Sequence, residues 1–506
     1  MKIEKTLIRI FLVFGIAMFS YLFLFSIVFS YQNTIFTTQD VYKVVESVPK
    51  NIVGLIICSG VVLGLTKMLS MIKVKTTKVL ALVVGIICAI IAIYWIYTCG
   101  ALPGADAYSI CVYASQMNAG DYSSFGPGEY IGMWRQQLGI ITFLRFIFKI
   151  FGDGNYQVFR ILSALSIILL IYSGYKIVNI LSKENRFAEC LYLVLSLFCL
   201  PMYFYTAHVY GEMISTAFLL FVFWQMLEIM DIWDVKKLIL IFFGMFIAYT
   251  FRQNSLIAVI AMAGILVVKS ILKKDIKLLA IVGVLIVGCL SESIIMHIAY
   301  DKYFPEDSEA MPSILWITMG LNEANDQAGW WNRESVYIFE DCGYDADAAS
   351  EVGKALIKER MKMFISDPVH LVRFYVKKVS SQWLAPMWQS IAMSNVIDEG
   401  KESALAHALY YDEKVSAAVA WVMNVYQVFV YGLALAWLIF CFKNPGVLQN
   451  YVIPITAFGG MLFSILWEAK TRYMFPYYLM ILVLSALGVS ILYNKISIWY
   501  VGRKTN

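Results

Sequence analysis

Long apolar runs alternate with polar breaks along the chain, and the runs set its architecture. A membrane-crossing helix needs about 20 predominantly apolar residues. Runs at 7–30, 51–70, 79–98, 157–180, 188–205, 212–230, 238–251, 255–271, 278–297, 416–441, 449–467 and 473–493 predict twelve spans. The first long break, Cys99 to Gln137, holds Asp106, Asp121, Glu129 and Arg135, interleaved with Tyr108, Tyr113, Tyr122, Tyr130 and Trp134. Pro103–Gly104 and Gly126–Pro127–Gly128 bend its backbone, so it reads as a shaped loop. The piece 138–151, LGIITFLRFIFKIF, carries Arg145 and Lys149 one helical turn apart. Burying both cations in lipid is costly, whereas a helix lying flat in the interface keeps them in water. It is read as interfacial. The second long break, 298–415, contains two stretches of helical periodicity, 352–364 and 368–383, with Lys/Arg on one side and apolar residues on the other. They predict amphipathic helices on the membrane surface.

Charge fixes the expected orientation. With Lys2, Lys5 and Arg9 inside, twelve spans also place inside the turns bearing Lys67/Lys73/Lys75/Lys78, Lys176/Lys183/Arg186, Lys236/Lys237, Lys269/Lys273/Lys274/Lys277 and Lys443, and the tail with Lys495, Arg503 and Lys504. A crossing at 138–151 would invert this order halfway. The segment 298–415 then lies outside, with 19 acids against 11 bases; its net of −8 leaves +13 for the rest of a chain of formal charge +5. The N-terminal run is too long for a signal-peptide core and has no small-residue cleavage site, so it reads as a retained anchor.

Composition excludes a soluble globular protein: 60% of residues are hydrophobic, 15% are charged, and mean hydropathy is +0.71. Nine cysteines are scattered without a CxxC, which implies no disulfide framework, and four histidines argue against a His-based metal site. These features fit a bacterial plasma membrane protein with both termini cytoplasmic. The expected fold class is an all-α polytopic bundle of about 12 transmembrane helices, with interfacial helices and a large extracellular loop region. Its expected parts are N-terminal spans 1–98, a catalytic membrane module 99–297 containing the loop 99–137, the loop region 298–415, and C-terminal spans 416–506.

That topology gathers polar residues from distant segments at the outer face: Asp106, Arg135, Arg160, His208, Tyr210, Glu212, Arg252, Glu468, Lys470, Arg472 and Tyr473, with Glu292 and His297 along one span. Singly each has an ordinary alternative. Arg160 or Arg252 suits an interfacial anchor, and Glu212 suits a helix start, where the dipole favours an acid. Jointly they suit a sugar carried on a lipid phosphate. Arginines grip phosphate through several donors, a carboxylate deprotonates an acceptor hydroxyl, and fixed positive charge meets the leaving phosphate. A transporter or flippase of lipid-linked sugars would spread polar residues through the depth of several spans. A surface-glycan polymerase or ligase would share both the acidic loop and the arginines.

The chain resembles bacterial integral-membrane glycosyltransferases of the GT-C superfamily, including protein mannosyltransferases, aminoarabinose transferases of lipid A and the family-39-like group. Asp106 in PGADAY matches their acid in the first external loop, and WRQQLGIITFLRFIFKIFGDGN followed by QVFRILSAL matches the stretch after it. Glu212 in VYGEM matches a second acid, and Glu468 to Pro476, EAKTRYMFP, matches a late E-x-x-x-R-Y-x-x-P pattern. WITMGLNEANDQAGWWNRE resembles a stretch of Gram-positive members. The chain departs from some relatives in having Asp106–Ala107 where they have an acid pair, and in two spans, not one, at 51–98. The resemblance implies transfer of a sugar, with inversion, from a polyprenyl-phosphate donor to an extracytoplasmic glycan, glycolipid or protein. It implies Asp106 as base and Arg472 with Arg135 or Arg252 on the donor phosphate. Glu212 and His208 would line the acceptor side or a weak divalent metal site, and no other cofactor is expected.

Overall fold

Apolar runs become helices because lipid offers no partner to a backbone N–H or C=O, and a helix satisfies both internally. The computed structural model describes residues 2–33, 41–73, 77–324, 327–394 and 396–504. Helices α1 (Lys2–Val28), α2 (Val48–Met71) and α3 (Thr77–Thr98) precede the first polar region. That region holds α4 (Asp106–Asn118), α5 (Tyr130–Met133) and α6 (Leu138–Phe151). Then follow α7 (Gln157–Ser182), α8 (Arg186–Phe198), α9 (Leu200–Phe204), α10 (Glu212–Asp231), α11 (Val235–Phe251), α12 (Leu256–Lys273) and α13 (Lys277–Tyr300). The second polar region holds α14 (Ile314–Gly320), α15 (Glu334–Asp341), α16 (Ala346–Ser366), α17 (Pro368–Trp383) and α18 (Ala404–Tyr411). Helices α19 (Glu413–Lys443), α20 (Val452–Leu466) and α21 (Thr471–Lys504) close the chain.

Ten helices among the described residues are long and apolar enough to cross a membrane. The count becomes eleven if Arg186–Phe198 and Leu200–Ala207, bent by 57° at their junction, form one span. The expected straight crossing at 188–205 is therefore broken. Pro201 near the start of α9 has no N–H to continue the helical ladder. The remaining difference from twelve is α11, a helix of 17 residues and about 25 Å, at the short end of the range that crosses a bilayer.

The bundle is a closed set of neighbours. Helix α7 packs on α3 and α10, α11 on α10 and α13, α12 on α13 and α20, and α21 on α19 and α20. Helix α6 has 14 residues and lies across one end of this bundle. It buries Ile141, Leu144 and Phe148, while Lys149 faces out and Arg145 Nε donates to Asn118 Oδ1 at 3.1 Å. This is the one-sided burial its sequence pattern requires. Small strands trim the same end. β1 (Phe29–Asn33) pairs with β2 (Val41–Val45), β3 (Ala101–Leu102) with β6 (Val396–Ile397), and β4 (Glu323–Ala324) with β5 (Gln327–Ala328).

Helix α17 departs from a surface-lying amphipathic helix. Its N-terminal half leaves Val369 and Val372 exposed, but its C-terminal half enters the bundle. There the Trp383 carbonyl accepts from Tyr431 Oη at 2.8 Å and Gln427 Nε2 at 3.1 Å. Lys378 is fully buried, and its ammonium donates to the carbonyls of Gly320, Ile465 (2.9 Å) and Trp467 (2.7 Å). All its donors are used, and they tie α14 and the end of α20 to α17. Gly320 permits the approach, since a Cβ there would lie 2.2 Å from the Leu466 carbonyl oxygen. Replacing Lys378 by Met strands one buried and two part-buried carbonyls and is expected to cost about 2 kcal/mol. Gly320→Ala forces the same junction apart. Both variants should lower the thermal unfolding midpoint in detergent; unchanged midpoints would show that the junction carries little stability.

Candidate active site

The backbone after α3 is tied down before it reaches Asp106. Ala101 and Leu102 pair with Ile397 and Val396, and Asp398 N donates to the Gly100 carbonyl at 2.8 Å. From below, Arg160 Nη1 donates to the Ala101 carbonyl at 2.8 Å. Residues 104–107 then make a turn in which Ala107 N donates to the Gly104 carbonyl at 3.1 Å. Ala105 sits at φ 49°, ψ −129°, the first central position of a type II′ turn, where glycine is the favoured residue. The next residue, Asp106, opens α4, and the helix N-terminus favours its negative charge.

Facing it is the junction of α20 and α21. Ala469 N donates to the Gly329 carbonyl at 2.7 Å, which sets the turn between the two helices. Arg472, in the first turn of α21, then points back, and its Nη2 meets Asp106 Oδ2 at 2.7 Å. Its backbone N–H donates to Gln389 Oε1 at 3.3 Å, and its Nη1 lies 3.6 Å from Met393 Sδ. Gln389 and Trp388 both hold left-handed backbone, φ 60° and 53°, and the segment after α17 thus turns sharply into the site. Glu468 accepts from Tyr473 Oη at 3.0 Å and lies 3.5 Å from Lys470 Nζ.

The third wall is the turn between α9 and α10. His208 and Tyr210 stack at 5.4 Å, and Gln137 Nε2 donates to Tyr210 Oη at 2.6 Å. Glu212, the first residue of α10, is buried 3.8 Å from Arg252 Nη1 at the end of α11. The Tyr210 ring lies 5.1 Å from the Arg252 guanidinium and 5.0 Å from that of Arg472. The Tyr473 ring is 5.4 Å from both. Two arginines thus share the faces of two tyrosines, an attraction worth about 0.5–2 kcal/mol per contact. Three bases, Arg252, Lys470 and Arg472, stand against three acids, Asp106, Glu212 and Glu468. Among these six, Asp106 keeps the largest accessible share of its side chain, 38%, against 16% or less for the others.

Burial opposes the charge on Asp106, but Arg472 in contact and Lys470 nearby outweigh it and hold the carboxyl below the usual range. For His208 burial prevails and pushes the imidazole down to about 4, so it is neutral at pH 7. His208 Nε2, Glu212 Oε1 and Arg472 Nε are buried without a hydrogen-bond partner among the described residues. Such atoms mark places where a water or ligand belongs. Beside them lies a narrow crevice of about 20 Å³, room for about one water, lined by Arg252, Asn254 and Tyr473 at one end and by Leu219, Ala258 and Met480 at the other. Its polar end meets the cluster, and its deeper walls are apolar.

Nine of the expected residues therefore meet: Asp106, His208, Tyr210, Glu212, Arg252, Glu468, Lys470, Arg472 and Tyr473. Others lie elsewhere. Arg135 donates to the Ser308 carbonyl and covers the Phe304 ring at 4.1 Å. Arg160 lies beneath the loop, with Nε and Nη2 unpartnered. Glu292 is buried in α13, with Ser293 Oγ at 3.4 Å, and exposed His297 pairs with Asp301. No group of three or more His, Cys, Asp or Glu side chains comes close enough to hold a metal among the described residues. His208 and Glu212 supply two donors only, so the residues do not fit a resident divalent ion. Gln389, Met393 and Lys378 were not expected here. The sole signal in the sequence is the break of helical pattern at Pro386 after an amphipathic run.

Ala105→Gly relieves a positive φ and should raise stability by about 1 kcal/mol, read as a higher thermal midpoint. A lower midpoint would exclude strain at this turn. For Asp106 the folded carboxyl titrates below the unfolded value of about 3.9. Its stabilisation is present above about pH 4 and is lost as pH falls through the lowered folded value. The midpoint gap between wild type and Asp106→Asn should therefore narrow from pH 6 to pH 3. A constant gap would dissociate the ion pair from stability.

No protein-family model matches the chain, and no curated protein does. Among solved structures, the chain is similar to the archaeal oligosaccharyltransferase AglB from Archaeoglobus fulgidus, in complex with an inhibitory peptide and a dolichol-phosphate. The TM-score is 0.41 at 12% sequence identity, over 86% of this chain and 52% of that one. This chain spans about half the length of that protein.

Proposed function

We propose that the protein is a membrane glycosyltransferase that moves a sugar from a polyprenyl-phosphate-linked donor to a cell-envelope acceptor. The observation that carries this reading is the cluster itself. Two guanidinium groups share two tyrosine faces at one end of an apolar bundle, and one of them holds the most open carboxylate there. The charged groups of the cluster sit at helix ends, Asp106 opening α4, Glu212 opening α10, Arg252 closing α11 and Arg472 in the first turn of α21, which favours transfer over transport.

In the proposed reaction Asp106 accepts the proton of an acceptor hydroxyl. The oxygen attacks the anomeric carbon, and the bond from that carbon to the phosphate oxygen breaks with inversion. The electron pair leaves on polyprenyl phosphate, whose added charge is met by Arg472 and Arg252. Donor phosphate competes with Asp106 for Arg472, so donor binding itself releases the base. Glu212 and neutral His208 line the acceptor side. In this reading that end of the bundle faces outside a bacterial plasma membrane, which the distribution of Lys and Arg supports.

Asp106→Asn should retain donor binding and lose turnover by at least about a hundredfold, the scale of a lost general base. Unchanged turnover would remove Asp106 from the chemistry. Arg252→Met and Arg472→Met should each weaken binding of a polyprenyl-phosphate sugar about tenfold or more. Wild-type protein that binds donor yet never releases polyprenyl phosphate would make a transporter of lipid-linked sugars the correct reading.

A further inference from the structure

Three indoles from three separate segments converge beside the cluster. Trp316 comes from α14, Trp331 from the turn after β5, and Trp467 from the end of α20. The Trp316 ring lies 6.1 Å from Trp467 at 14° between planes, and 6.2 Å from Trp331 at 38°. Phe463 backs Trp467 at 4.9 Å. Neighbouring Trp330 is fully buried, and its Nε1 donates to Ser381 Oγ at 2.9 Å, so its role is packing. The other three remain partly exposed. Lys378 ties the patch together, binding the carbonyls of Gly320, one helical turn after Trp316, and of Trp467 itself.

Lys470 links the patch to the cluster. Its ammonium stands 5.8 Å over the Trp331 ring and 3.5 Å from Glu468, which in turn accepts from Tyr473. We infer that Trp316, Trp331 and Trp467 form a stacking platform for a pyranose ring, and that the acceptor is a glycan. The inference rests on the proposed glycosyl transfer and names its acceptor class. A pyranose presents a face of polarised C–H bonds that suits the electron-rich face of an indole. Its hydroxyls lie along the ring edge, and the Lys470 ammonium beside Trp331 can donate to them. A peptide would seek backbone partners, but Ala469 N–H and Gly329 C=O are bonded to each other, and β4 pairs with β5.

The test uses the full chain in detergent. Trp316→Leu and Trp331→Leu remove the flat faces but keep bulk; Trp316→Phe and Trp331→Phe keep an aromatic face. Calorimetric titration would use a panel of soluble oligosaccharides of hexose, N-acetylhexosamine and deoxyhexose units, a matched panel of Ser/Thr peptides, and separately a short-chain polyprenyl-phosphate sugar. The expected result is an oligosaccharide whose binding falls about tenfold in each Leu variant and less than about threefold in the Phe variants. Donor binding should be unchanged in all four. Oligosaccharide affinity equal in wild type and Leu variants, or binding of peptides alone, would overturn the platform and leave the transfer reading standing. Absence of donor binding in the wild type would overturn both.

Discussion

The contact between Asp106 and Arg472 sets the register of this molecule. The two residues are 366 positions apart, and one begins the first polar helix after three apolar ones while the other lies in the first turn of the last helix. A charge at the rim of an apolar bundle is costly unless paired, so each side chain fixes where the other's backbone must lie. The surrounding groups follow from that pairing. Tyr210 and Tyr473 fill the space around both arginines, and Glu212 balances the second of them.

The region between α13 and α19 reads on paper as a large loop, yet it behaves as part of the scaffold. Its residues reach the Trp467–Tyr473 turn from several directions: Gly329 through a backbone bond, Lys378 through an ammonium, Gln389 and Met393 against Arg472. Val396 and Ile397 hold the other wall through β3. Irregular backbone at this depth is tolerable because protein, not lipid, surrounds it.

Much of this was legible in the sequence. Apolar runs located the helices, and α6 forms as a short helix that is buried on one side. The run at 238–251 read as a span like the others, and Pro201 hid a bend inside an otherwise uniform run. The charged residues at the ends of apolar runs were the right place to look for a site. That criterion does not separate an arginine held by a carboxylate from one held by a carbonyl, which is why Arg135 and Arg160 sorted together with Arg252 and Arg472. Lys378 was invisible for the opposite reason. In an amphipathic helix a lysine reads as solvated, and only the packing of α14, α17 and α20 turns it into a buried three-way tie.

Occupation of Arg472 by Asp106 makes the site reciprocal. Any anion that draws Arg472 away also leaves a second negative charge beside the freed carboxylate, so Asp106 then holds a proton more tightly. By linkage, a proton on Asp106 must favour the anion to the same degree. The cluster is thus a device in which anion uptake and proton uptake assist each other, and the strength of that coupling resides in one guanidinium shared between two claimants.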